Sequence, residues 1–164
     1  HEIAKIAHET EVEHRTGLGD VAACQGGGRV VRTGAGIDGE IHRYQDISGP
    51  ICAVSFGPIP TPSVIGSAAQ MTRVDAAYPA TVPATVEEFF QASRLFAQKS
   101  GLVTPEVMRV LEACAAEGIL CGMTMLGNGV FACGERAGSV LRTFGHVFQC
   151  RMATEGPRIT GVNP

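Results

Sequence analysis

The stretch EHRTGLGDVAACQGGGRVVR, Glu13 to Arg32, sets one carboxylate, Asp20, among five glycines and closes on two arginines, Arg29 and Arg32. Those residue types suit several chemistries. Glycines before a helix start can cradle phosphate or a dinucleotide. A carboxylate held at a helix start stays ionised and can accept a proton from a hydroxyl. Guanidinium groups match carboxylate and phosphate oxygens. The plainer alternatives are an Asp that only caps a helix and arginines that only decorate a solvated strand.

The nucleotide readings fail on context. GLGDVA fits a loose dinucleotide fingerprint but follows a helical pattern, whereas that motif needs a strand before it. It also lacks the Lys-Ser/Thr of a P-loop. GAGIDGE, Gly34 to Glu40, matches GxGxxG literally. The alternating EIHRYQ that follows is strand-like, so a hairpin turn is expected there. His8, His14, His42 and His146 share no metal spacing. The six cysteines show neither CxxC nor zinc-site spacing and read as reduced, mostly buried thiols. Thr61 and Ser63, among prolines, read as turn or cap residues.

Around these residues the pattern predicts a helix over 2–14, with Ile3, Ile6 and Ala7 at helical spacing and Gly17 as its stop. A short helical turn is expected over 20–25. GRVVRT and EIHRYQD read as paired strands, and ICAVSF as a buried strand. A proline-broken segment turns helical near GPIPTPSVIG. Thr85 with Glu88 forms a capping-box pattern. It opens a helix with Val86, Phe89, Phe90, Ser93, Phe96 and Ala97 on one face. Thr104-Pro105 starts another, striped by Val107, Val110, Leu111, Cys114 and Ala115. ILCGMTM and GVFACG are strands around a turn at LGNG, and GHVFQCRMA is a last strand. The class is α+β, an antiparallel sheet with helices packed on one face, in a single domain over 1–164.

The chain has 164 residues, of which 45% are apolar and 18% charged, enough for a sizeable core. A net charge of −3 gives no general reason to bind nucleic acid or an anionic membrane. The longest uncharged run near the C-terminal half, GILCGMTMLGNGVFACG, is too short and too rich in glycine to span a bilayer. The sequence opens inside a helical pattern, which suggests a piece of a longer polypeptide.

GLGDVAACQGGG resembles the GHMP kinase superfamily, and within it the archaeal pantoate kinases. Mevalonate-type members carry a catalytic Asp a few small residues before a Gly-Gly pair, which matches Asp20 and Gly27-Gly28. GMTMLGNGVFA is similar to that group's third, glycine-rich motif. The resemblance implies a ferredoxin-like C-terminal kinase domain, in the cytoplasm, that uses ATP and Mg²⁺ to phosphorylate a small hydroxylated substrate such as pantoate. It implies Asp20 as catalytic base. Gly17 and Gly19 would border the substrate, and Arg32 or Arg29 would pair with its carboxylate. Gly127 and Gly129 would shape the nucleotide side. Gly17 stands where mevalonate-type members have Ser. The phosphate loop and the Mg²⁺-binding Glu are implied to lie upstream, in a missing N-terminal half. A surface left bare by that half could also self-associate. The rival readings are another kinase of the superfamily, or a non-catalytic ligand-binding or assembly module of the same fold.

Overall fold

The computed structural model describes residues 2–14, 19–34 and 39–158. The chain divides into two compact units. The first comprises the described residues up to Ile47 together with Met152 to Arg158, and the second runs from Ser48 to Arg151. Both combine helices with antiparallel strands, a mixed α+β organisation.

The first unit holds α1 (Glu2–His14), α2 (Asp20–Cys24), β1 (Arg29–Arg32) and β2 (Ile41–Tyr44). The two strands pair antiparallel, with Arg29 opposite Tyr44 and Arg32 opposite Ile41. That is the hairpin the alternating pattern implied; the tip of its turn, 35–38, lies outside the described residues. Ala4 of α1 and Ala22 of α2 are buried. Ile3 and Ile6, expected on an inner face, are instead 79% and 60% exposed. Small side chains let α1 and α2 approach closely, and the large apolar ones point away from that contact.

In the second unit β3 (Pro50–Pro58) is followed by α3 (Thr61–Ile65), α4 (Ala68–Ala77), α5 (Val86–Ser100) and α6 (Pro105–Ala116). Then come β4 (Cys121–Met123), β5 (Gly127–Cys133), α7 (Ala137–Leu141) and β6 (Val147–Arg151). The sheet runs β4-β5-β3-β6, antiparallel throughout. Cys52, Val54, Cys121, Met123, Val130 and Ala132 share one buried face by register. Against them pack Val107, Val110, Leu111 and Cys114 of α6 and Ala137 and Leu141 of α7. Phe131, of the opposite parity, meets the Phe90 ring of α5 at 5.6 Å.

Local signals specify the helix ends. The Thr85 side chain accepts from the Glu88 N–H at 3.1 Å, and Glu88 accepts from the Thr85 N–H at 3.3 Å, the reciprocal capping box. Thr104 caps α6 with Pro105 behind it. Two expectations need correcting. Ala115 is exposed, because the α6 stripe ends at Cys114. LGNG is not the turn: the chain reverses at Thr124–Gly127, where the Gly127 N–H donates to the Thr124 carbonyl at 2.9 Å. Gly127 and Gly129 already belong to β5, opposite Pro58 and Ser55.

The glycine at 129 is required by approach of the neighbouring strand, not by a positive φ. A Cβ there would lie 2.6 Å from the Val54 carbonyl oxygen, which is backbone and cannot rotate aside. At Gly127 the nearest atom is the Thr124 hydroxyl, at 3.0 Å, which can turn away. Gly129→Ala is therefore expected to destabilise the protein by about 2 kcal/mol and Gly127→Ala by clearly less, as read from urea unfolding midpoints.

Candidate active site

The first unit contains a cleft of about 560 Å³. One wall is α1, through Ile3, Ala4, Ala7 and Glu11; another is α2, through Asp20, Val21 and Cys24. Pro157 and Arg158, near the C-terminal end of the described chain, close it. The lining is mainly apolar, with two carboxylates and one guanidinium.

Asp20 is the first residue of α2, and Gly19 stands at the N-cap without any side-chain cap bond. The capping role that the sequence allowed is therefore not taken. Among the described residues the Asp20 carboxylate makes no hydrogen bond or ion pair, and it is exposed to the cleft. That is the state a general base needs before substrate arrives. Glu11, one face along α1, has its Oε2 buried with no hydrogen-bond partner among the described residues. The His8 Nδ1 lies 3.8 Å from it and is likewise buried without a hydrogen-bond partner among the described residues.

Three arginines surround this helix, and each has a different task. Arg29, a substrate-binding candidate, is 2% exposed. Its Nε and Nη2 donate to both oxygens of Asp46, at 3.1 and 2.5 Å, and its guanidinium lies 4.1 Å over the Tyr44 ring. Arg29 thus braces the hairpin from inside. The guanidinium beside Asp46 holds that carboxyl below the usual carboxylate range. Arg32 is half-buried, and its Nη2 lies 3.2 Å from where a Cβ on Gly19 would stand, next to Asp20. Gly19 therefore leaves room for a guanidinium beside the carboxylate. Gly17 lies outside the described residues.

Arg43 was not singled out by any sequence pattern. It reaches from β2 to the end of α2, donating to the carbonyls of Ala22 at 2.9 Å, Gly26 at 2.8 Å and Ala23 at 3.2 Å. A five-residue helix cannot satisfy its own last carbonyls, and a cation there also answers its dipole. The only sequence signal was a polar residue in an alternating strand. Arg43→Met should leave those carbonyls unsatisfied and lower unfolding stability by about 2 kcal/mol, measured by chemical denaturation.

Gly127 and Gly129 lie in the second unit, on β5. There Asn128 accepts a 2.6 Å hydrogen bond from Thr104, the α6 cap, tying that strand to a helix start. The cysteines offer no nucleophile of note in the sheet: burial pushes the Cys133 thiol up to about 11. Cys52, Cys114 and Cys121 are buried, while Cys24 and Cys150 are exposed. No helix among the described residues is long and apolar enough to cross a membrane.

Asp20 thus stands uncommitted at the head of a short helix in an α+β unit, open to the cleft. The fold is similar to that of a solved structure described as a phosphotransferase related to the CoA biosynthesis pathway. The TM-score is 0.69 and the identity 26%, over 94% of this chain and 55% of that one. More particularly, the chain is a homologue of pantoate kinase. It is 46% identical over 158 residues to the pantoate kinase of Methanospirillum hungatei, covering 96% of this chain and 54% of that protein. The chain thus spans about half the length of each of these two proteins. No family model matches it.

Proposed function

We propose that this chain is the part of a GHMP-type pantoate kinase that activates the acceptor hydroxyl, the C-terminal portion of an ATP-dependent enzyme of coenzyme A synthesis acting in the cytoplasm. The observation that carries this reading is Asp20: a carboxylate used for nothing structural, open to a cleft, in a pantoate kinase homologue.

Phosphoryl transfer depends on positioning and charge more than on covalent chemistry. Asp20 orients the primary hydroxyl of pantoate and accepts its proton. The hydroxyl oxygen bonds to the γ-phosphorus of ATP as the bond to the β-γ bridging oxygen breaks, and ADP leaves. Arg32, beside Gly19, neutralises the pantoate carboxylate; Arg29 acts indirectly, by holding the strand that carries Arg32. Gly19 keeps the approach to the hydroxyl open.

The Mg²⁺ is held mainly by the further polypeptide: among the described residues no group of three or more His, Cys, Asp or Glu side chains is placed to hold a metal ion. A bound Mg²⁺ would supply charge neutralisation on the ATP phosphates. The phosphate-binding loop belongs to the further polypeptide that makes the relatives about twice as long. The exposed Ile3 and Ile6 of α1 suit contact with that polypeptide or with a second copy.

A panel of hydroxylated acids offered to the full-length protein with MgATP tests the reading. Release of ADP with pantoate, well above the other acceptors, is expected. ADP release with a different acceptor would reassign the substrate, and binding without transfer would favour an assembly or ligand-binding module. The 164 residues alone are expected to be inactive, with activity returning when the remaining polypeptide is added.

A further inference from the structure

The cleft that holds Asp20 is closed by a strap, and the approach of that strap is what requires glycine at position 27, whereas Gly26 faces the Arg43 side chain and Gly28 takes a positive φ of 88° beside the Tyr44 carbonyl. The Gly28 N–H donates to the Ala153 carbonyl at 2.8 Å. A Cβ at Gly27 would fall onto that same carbonyl. A Cβ at Gly156 would lie 2.5 Å from the Gln25 carbonyl oxygen. Gln45 adds a side-chain bond to the Thr154 carbonyl at 3.5 Å. Two backbones thus lie against each other at a distance only glycine allows, on both sides of the contact. Their closeness carries Pro157 and Arg158 to the edge of α2.

We infer that Arg158 is a further substrate-binding residue of this cleft, engaging an oxyanion of the bound substrate. The inference rests on the kinase reading for the identity of that substrate but not for the existence of the site. The cleft's other charged lining groups are carboxylates, Glu11 and Asp20. An anionic substrate brought between them needs a cation. The neighbouring Arg29 and Arg43 are committed to Asp46 and to the α2 carbonyls, and Arg32, beside Gly19, is not among the residues that line the cleft. Arg158 is exposed, lines the cleft, and makes no hydrogen bond or ion pair with the described residues. A guanidinium binds carboxylate and phosphate alike through a two-pronged donor set. The acceptor carboxylate and the ATP phosphates share that chemistry.

Steady-state kinetics and calorimetric binding of pantoate and of a non-hydrolysable ATP analogue, on the full-length protein, tell them apart. Arg158→Ala is expected to raise KM and Kd for one of the two ligands by tenfold or more. Arg158→Lys should recover part of the lost affinity, with the unfolding midpoint near that of the parent. A rise confined to pantoate assigns the carboxylate, and a rise confined to the analogue assigns the phosphates. Gly27→Ala, which displaces the strap and leaves the charge in place, should weaken the same ligand. Both affinities unchanged within twofold in Arg158→Ala would overturn the inference. So would a weakening that merely follows a lower unfolding midpoint, or a parent that binds neither ligand. A parent that binds ligand but transfers no phosphate would sink the kinase reading while leaving Arg158 in place.

Discussion

Asp20→Asn in the full-length protein is expected to lower kcat by about a thousandfold, the scale of a lost general base, and to leave the unfolding midpoint unchanged. The two halves of that expectation come from one observation. Asp20 sits at the first position of α2 but caps nothing, since Gly19 occupies the N-cap and no side-chain bond is made there. Asn keeps the size of the side chain and loses the ability to accept the hydroxyl proton. A carboxylate that served the fold would show the opposite pattern, a loss of stability of about 1 kcal/mol with activity following it. ADP release measured beside thermal unfolding separates the two. KM for pantoate should move little, because binding of its carboxylate falls to arginine.

Asp46→Ala should destabilise the hairpin by about 1–2 kcal/mol near neutral pH, less than loss of a fully buried pair because the Asp46 side chain is 33% exposed. The size comes from what it leaves behind: a guanidinium whose side chain is 1% exposed, with its anion removed. Replacing Arg29 with Met, which fills the same space without charge, should cost much less, since a buried pair replaced by apolar volume is often close to neutral. The pH dependence has a definite sign. Asp46 is held below the ordinary carboxylate range in the fold, chiefly by its hydrogen bonds from Arg29. Its contribution is therefore fully present above the unfolded-state value and fades as pH falls through the lowered one. Urea midpoints of parent and Asp46→Ala should differ most at pH 6–8 and converge in strong acid. A constant difference across that range would count against the pair.

Much of the fold was legible because its signals are local. The α1 range, the Asp20 turn, the β1–β2 hairpin, the Thr85–Glu88 capping box and the Thr104-Pro105 start all depend on residues within a few positions of one another. Elements that depend on distant partners were not legible. The short α7, without a side-chain cap, and the ten-residue α4, with its weak apolar stripe, give little periodicity. Gly127 and Gly129 look like turn residues in isolation; only the approach of β3 makes them strand residues.

The site divides in the same way. In the proposed site, Asp20 is suggested by its glycine-rich setting and Arg32 by its nearness in sequence. Three features depend on contacts that no short window contains: the internal pairing of Arg29 with Asp46, the reach of Arg43 to the α2 carbonyls, and the delivery of Arg158 by the strap. Gly27 is the clearest case. The glycine density around it suggested a ligand cradle, and its close backbone neighbour is residue 153, more than a hundred positions away.

The most direct test of the central claim is phosphorus NMR of the full-length protein incubated with MgATP and pantoate. The account predicts a new phosphomonoester resonance growing in step with ADP, at a rate that collapses in Asp20→Asn. ADP formed with inorganic phosphate and no phosphomonoester, or an Asp20→Asn protein as fast as its parent, would contradict it.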